Sequence, residues 1–169
     1  MSTHRVTVEV NGETHTREVD ARLLLSDFLR HHLGLRGTRV GCEHGVCGSC
    51  TVLLSGEPVR ACLTLAVQTD GEVVDTVEGL GEDTEHMHPL QESFSACHGL
   101  QCGFCTSGFL MSLKPLYDSG IEMNATEIRE AISGNICRCT GYQQIVEAVD
   151  RALHTRDSTD TEISESNDG

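Results

Sequence analysis

Apolar and polar residues alternate from the start of the chain: Val6, Val8 and Val10 are separated by Thr7 and Glu9. A period of two predicts a strand with one buried face. Asn11-Gly12 follows, a dipeptide suited to the two-residue hairpin turn, and Thr14, Thr16 and Glu18 continue the alternation as a second strand. Asp20 then stands where it can cap a helix carrying Leu24, Leu25, Phe28 and Leu29. "TVLLSGEPV" predicts a second hairpin turning at Ser55-Gly56, and "EVVDTV", residues 72–77, a further strand. Beyond residue 78 the period lengthens. Helical stretches are expected over 86–97, 104–118, 125–133 and 141–155. Asn124 or Thr126 can cap the third, which presents Ile128, Ala131 and Ile132. In the fourth, Ile145, Val146, Val149, Ala152 and Leu153 keep a 3.6-residue rhythm. Pro115 should kink the second helix or mark an early end.

These patterns divide the chain. Residues 1–78 read as a small α+β domain, strands wrapped around one helix. Residues 79–85, glycine and acid without apolar period, read as a linker, and 86–155 as a small helical bundle. Residues 156–169 close the chain with "DSTDTEISESNDG", which holds one large apolar residue and no base. So little apolar surface does not offset the entropy of ordering, and the tail is expected to be disordered.

Charge and composition narrow the function. The net charge of −14 argues against nucleic acid, whose phosphates need Lys and Arg. No apolar run approaches the ~18 residues of a membrane span. "MSTHRVTVEV" has no apolar export segment, so a cytoplasmic site is expected. That compartment keeps thiols reduced, and nine cysteines is an odd number for a disulfide framework. Metal ligation or redox chemistry remains.

Eight of the nine cysteines fall into two sets of four. Cys42, Cys47 and Cys50 follow C-x4-C-x2-C, with Cys62 after eleven further residues. This is the plant-type [2Fe–2S] spacing. Gly41, Gly45 and Gly48 let the loop turn its amides toward the sulfurs, which favours a cluster of formal charge about −2. The second set is Cys102 and Cys105 in "LQCGFC" with Cys137 and Cys139 in "GNICRC". An i, i+2 pair points in nearly opposite directions on a helix, so Cys137 and Cys139 belong on a turn. Two helix N termini would then face one anionic centre. Structural zinc competes for either set, though its ligands usually pair across short gaps on both sides. Cys97 is left over and reads as a small buried hydrophobe. His86, His88 and His98 lack ligand spacing. Arg138, between two ligands, either offsets cluster charge or is simply solvated.

"GCEHGVCGSCTVLLSGEPVRAC", "HPLQESFSACHGLQCGFC" and "GNICRCTGYQQIVEAV" together resemble the small iron–sulfur subunit of the molybdenum hydroxylases, the xanthine dehydrogenase, aldehyde oxidase and carbon monoxide dehydrogenase family. The resemblance runs from about residue 4 to 154. It implies a β-grasp plant-type ferredoxin-like domain with one [2Fe–2S] cluster on Cys42, Cys47, Cys50 and Cys62. It implies next a four-helix bundle of pseudo-two-fold symmetry with a second cluster on Cys102, Cys105, Cys137 and Cys139. In the family that second cluster lies beside molybdopterin, Gln101 and Cys139 match positions that contact the pterin, and the first cluster lies nearer FAD. Ser107 departs from the family, which often has Pro there. The implied role is electron transfer from molybdopterin on a large subunit to FAD on a medium subunit, in a dimer of heterotrimers, with no substrate site here. The substrates suggested are aromatic acyl-thioesters, N-heterocycles or aldehydes. A free-standing two-cluster ferredoxin is the alternative.

Overall fold

The computed structural model describes residues 2–81 and 85–164. Strands β1 (Thr3–Val10) and β2 (Glu13–Asp20) form the first hairpin, and β3 (Thr51–Leu54) and β4 (Glu57–Arg60) the second. With β5 (Val73–Asp75) they make one mixed sheet in the order β2-β1-β5-β3-β4. Only the β1–β5 pairing is parallel. Both hairpin turns are of the type the dipeptides demand. Asn11 and Gly12 have φ of 49° and 82°, Ser55 and Gly56 of 50° and 87°. Positive φ at both central residues matches the twist of the flanking strands.

Val6, Val8 and Val10 line the buried face of β1 and meet Leu25, Phe28, Leu29, Val52 and Val74 in one core cluster. Phe28 and Leu29 are wholly shielded, each worth about 1.5–3 kcal/mol in surface withdrawn from water. The expected helix is short. α1 covers Leu25–Asp27 and runs into a wide π turn over Phe28–His32. Asp20 does not cap it. Asp20 pairs with Thr3 at the end of β2, and its Oδ1 accepts the Arg22 N–H at 3.1 Å. Sheet pairing takes the residue that a purely local reading assigns to the helix.

Four helices follow: α2 (Pro89–Ala96), α3 (Thr106–Asp118), α4 (Ala125–Ala131) and α5 (Gln143–Ser164). His88 caps α2 by accepting the Leu90 N–H, and Gln91 returns the bond to the His88 N–H. Asn124, not Thr126, caps α4, again with a reciprocal bond from its third residue, Glu127. Pro115 does not end α3. It lies within one turn of the C terminus, where a missing N–H forfeits a single bond. Leu90, Phe94, Phe109, Leu113, Ile128, Ile145 and Val149 form a second core. Leu80, inside the expected linker, is buried in that core; residues 82–84 of the linker lie outside the described residues.

α5 runs to Ser164, into the segment from residue 156 where composition leads to an expectation of disorder; residues 165–169 are not described. A helix nucleated on a packed face extends at the cost of fixing one residue per new hydrogen bond. Arg156 also anchors this stretch, donating to the carbonyls of Tyr117 at 2.8 Å and Gly120 at 3.0 Å.

The halves meet through glycines. A Cβ on Gly108 would stand 2.2 Å from the Gly48 oxygen, and one on Gly48 would stand 2.6 Å from the Asn135 side-chain nitrogen. Only hydrogen at both positions allows this approach. Asn135 bridges the seam. Its Nδ2 donates to the Gly48 carbonyl at 3.2 Å, and its Oδ1 accepts from Ser112 at 3.1 Å. Arg60 of β4 reaches the Gly134 carbonyl at 2.7 Å.

Candidate metal centres

The sheet and the seam hold the first thiol set between them. Cys50 immediately precedes β3 and Cys62 follows β4, so the second hairpin brings their sulfurs together. Both are buried, while Cys42 and Cys47, on the preceding loop, are half-buried. Gly45 and Gly48 turn this loop with φ of 83° and 73°. Gly41 does not have positive φ. A side chain there would crowd Phe104 and the Cys47 sulfur, so close approach, not backbone freedom, requires it. The turned loop directs amides at sulfur: the Cys47 N–H donates to Cys42 Sγ at 3.4 Å. That amide and the His44 amide hold the Cys42 thiol down at about 6. Burial instead pushes Cys50 up to about 11.

The second set sits at the N-terminal ends of two helices. Cys105 is the N-cap of α3. Cys137 and Cys139 lie on the non-helical turn just before α5. The sulfurs again stand in pairs. Cys139 Sγ is 3.6 Å from Cys102 Sγ, and Cys105 bonds Cys137. Burial pushes Cys105 up to about 12, and its partner lies low. For Cys137, burial raises the thiol, but the Thr140 hydroxyl and the amides of Cys139 and Thr140 more than offset it. Likewise the Phe104 amide lowers Cys102, and the bond to Cys102 raises Cys139. In each of these two pairs one thiol is raised and its partner lowered. A metal cation lets both sulfurs of a pair ionise.

Pairing bears on which metal fits. Among the described residues, no group of three or more His, Cys, Asp or Glu is arranged to hold a single ion. Zinc gathers four donors about one atom. A two-iron cluster takes four thiolates in all, two for each iron. The pairs Cys42/Cys47, Cys50/Cys62, Cys102/Cys139 and Cys105/Cys137 suit the second arrangement.

The remaining sequence candidates fall into place. Gln101, Cys102 and Cys139 are all exposed and lie at one end of the helical half. Arg138 points to solvent. Cys97 is half-buried against the helical core. His88 serves as a cap and meets Tyr117 edge-on. Ser107 is buried, with no hydrogen-bond partner for its hydroxyl. Sequence reasoning missed Thr140 and Tyr142. Thr140 donates to Cys137 Sγ at 3.1 Å, and the Tyr142 phenol accepts the Cys137 N–H at 3.0 Å. The "CTGY" run that carries them was part of the quoted motif, but nothing in its spacing announces a bond to sulfur.

The two sets are joined by backbone. The Cys47 carbonyl accepts the Ile136 N–H at 2.9 Å, and Ile136 immediately precedes Cys137. One hydrogen bond therefore connects the residue bearing a sulfur of the first set to the neighbour of a residue bearing a sulfur of the second.

Comparison with known proteins agrees with this geometry. Residues 8–80 match the family described as "2Fe-2S iron-sulfur cluster binding domain", and residues 76–150 the "[2Fe-2S] binding domain" family. The chain is 66% identical to the beta subunit of the 6-hydroxypseudooxynicotine dehydrogenase complex of Paenarthrobacter nicotinovorans, over 95% of this chain and 100% of that one. It is 50% identical to the gamma subunit of caffeine dehydrogenase of Pseudomonas sp. (strain CBB1), over 98% of each. Among solved structures, quinoline 2-oxidoreductase from Pseudomonas putida 86 superposes with a TM-score of 0.87 at 44% identity, covering 93% of this chain and 97% of that one.

Proposed function

The chain belongs to the iron–sulfur subunits of the molybdenum hydroxylases, and from that premise we propose how its residues divide the work. It is an electron-transfer subunit of an oxidoreductase and carries [2Fe–2S] clusters. Our reading gives the first cluster to Cys42, Cys47, Cys50 and Cys62, and the second to Cys102, Cys105, Cys137 and Cys139. The pairing of eight sulfurs is the observation that carries this assignment. In this reading residues 1–78 are the β-grasp domain, 79–85 the linker and 86–155 a four-helix bundle.

When bound, each cluster takes up and releases one electron at a time. The chain's own residues supply the rest. Amides at Cys42 and the helix N termini at Cys105 and before α5 favour the anionic ligands. The seam at Gly48 and Gly108 fixes the distance between the sets, and the Cys47–Ile136 hydrogen bond gives a direct through-bond link. Gln101, Cys102 and Cys139 offer an exposed edge suited to molybdopterin on a large partner, with Gln101 and Cys139 as the contacts. FAD on a medium subunit then receives electrons by way of the first cluster, in a dimer of heterotrimers located in the cytoplasm. Nine cysteines outside disulfides suit that reducing compartment. Relatives named for 6-hydroxypseudooxynicotine, caffeine and quinoline support a nitrogen-containing heteroaromatic as the substrate of the complex. Among the described residues no helix is long and apolar enough to cross a membrane.

Paramagnetic resonance of the dithionite-reduced complex tests the assignment. Two distinct spin centres are expected. Cys50→Ser should remove one and Cys105→Ser the other. Loss of both centres from either substitution, or of neither, refutes the ligand sets.

A further inference from the structure

A side chain donates to the Cys137 sulfur. Thr140 Oγ1 lies 3.1 Å from Cys137 Sγ, and the same oxygen accepts the Tyr142 N–H at 3.2 Å. A hydroxyl has one proton to give. With the amide occupying a lone pair, that proton is directed at the sulfur. The Cys137 N–H is taken by the Tyr142 phenol, so it does not compete for the role. Tyr142 holds φ of 73°, after Gly141 at 66°, a left-handed conformation that is unfavourable for an aromatic residue. Two bonds fix it there, one to Thr140 and one to Cys137. Among the described residues the first set has no hydroxyl bonded to sulfur; Cys42 Sγ accepts from the Cys47 backbone amide at 3.4 Å.

We propose that Thr140 is a positioning residue that raises the reduction potential of the cluster on Cys102, Cys105, Cys137 and Cys139. Taking up one electron makes that centre more negative, and a hydrogen bond to a ligand sulfur stabilises the reduced state more than the oxidised one. The step moves one electron, supplied by the hydroxylation reaction or, in the test, by dithionite. No proton is transferred and no covalent bond is broken. The effect is a local bias: electrons are held longer on the second cluster than its ligand set alone would hold them.

This inference rests on the cluster assignment above. The test is a redox titration of the intact complex followed by paramagnetic resonance, in the wild type, Thr140→Val and Thr140→Ser. In Thr140→Val one centre should become harder to reduce by about tenfold in its equilibrium constant, 59 mV for a one-electron couple. The other centre should not move. Thr140→Ser, which keeps the hydroxyl, should titrate as wild type. Unchanged midpoints in Thr140→Val, with both centres present, overturn the proposal while leaving the ligand assignment intact. Absence of a second centre from the wild type would instead overturn the assignment. If Thr140→Val lost the second centre, Thr140→Ser decides alone. Wild-type potential in the serine variant supports a role for the hydroxyl, and loss of the centre there too makes the role steric and overturns the proposal.

Discussion

The two thiol sets offer the same four sulfurs in two pairs, yet their surroundings differ. Cys50 and Cys62 belong to the core that the sheet builds for its own stability. Cys102 and Cys139 are exposed at the end of the helical half. The first set is tuned by a loop whose glycines aim amides inward. The second relies on helix ends, on the Thr140 hydroxyl and, in our reading, on a partner that covers its open edge. A series conductor needs such asymmetry: one end enclosed by its own fold, the other accessible to a donor.

The largest test of this comparison is the seam that holds the sets in fixed relation. Gly108→Val drives a side chain into the Gly48 carbonyl, 2.2 Å from the position of its Cβ. A loss of at least about 1–3 kcal/mol is expected in urea unfolding, with weakened magnetic interaction between the two centres. Gly103→Ala is the control. Its φ of 74° brings backbone strain, but nothing lies within 4 Å of the new Cβ, so the seam and the magnetic interaction should survive.

A smaller effect separates the halves by pH. Burial holds the His88 imidazole below its ordinary 6.5, with Lys114 adding to the effect and Asp118 opposing it. The unfolded chain therefore binds a proton in a range where the folded chain does not. Stability is full above about 6.5 and declines as pH falls toward and through the folded value. Hydrogen exchange should show α2 loosening first, while β1 and β3 stay protected. His88→Asn, which keeps a cap, should flatten that dependence; an unchanged pH profile would exclude His88 as its source.

The smallest effect is expected at Ser107. Its hydroxyl is buried without a partner, so Ser107→Ala removes no bond and should be neutral or stabilising by up to about 1 kcal/mol in thermal unfolding. A marked loss would mean that the hydroxyl serves a group bound between the halves, and would bring Ser107 into the environment of the second set.

Local chemistry made much of this legible. Asn11-Gly12 and Ser55-Gly56 announce their turns because positive φ at both residues is a local demand. Asn124 reads as one of two possible caps for the same reason, and the structure chooses it over Thr126. Asp20 misled because its partner, Thr3, lies across the hairpin, and strand pairing outweighed a cap. Composition likewise does not show that α5 runs on into the tail or that Arg156 finds two carbonyls.

The order and spacing of eight cysteines by themselves pointed to bound metal, with the first quartet at the plant-type [2Fe–2S] spacing and zinc as its competitor; the resemblance of the longer motifs supplied electron transfer. Only tertiary structure decided which sulfurs pair, that Gly48 and Gly108 must both lack side chains, and that Thr140 reaches Cys137. Those facts depend on distances between segments remote in sequence or on the direction of one hydroxyl, and no period or propensity encodes either.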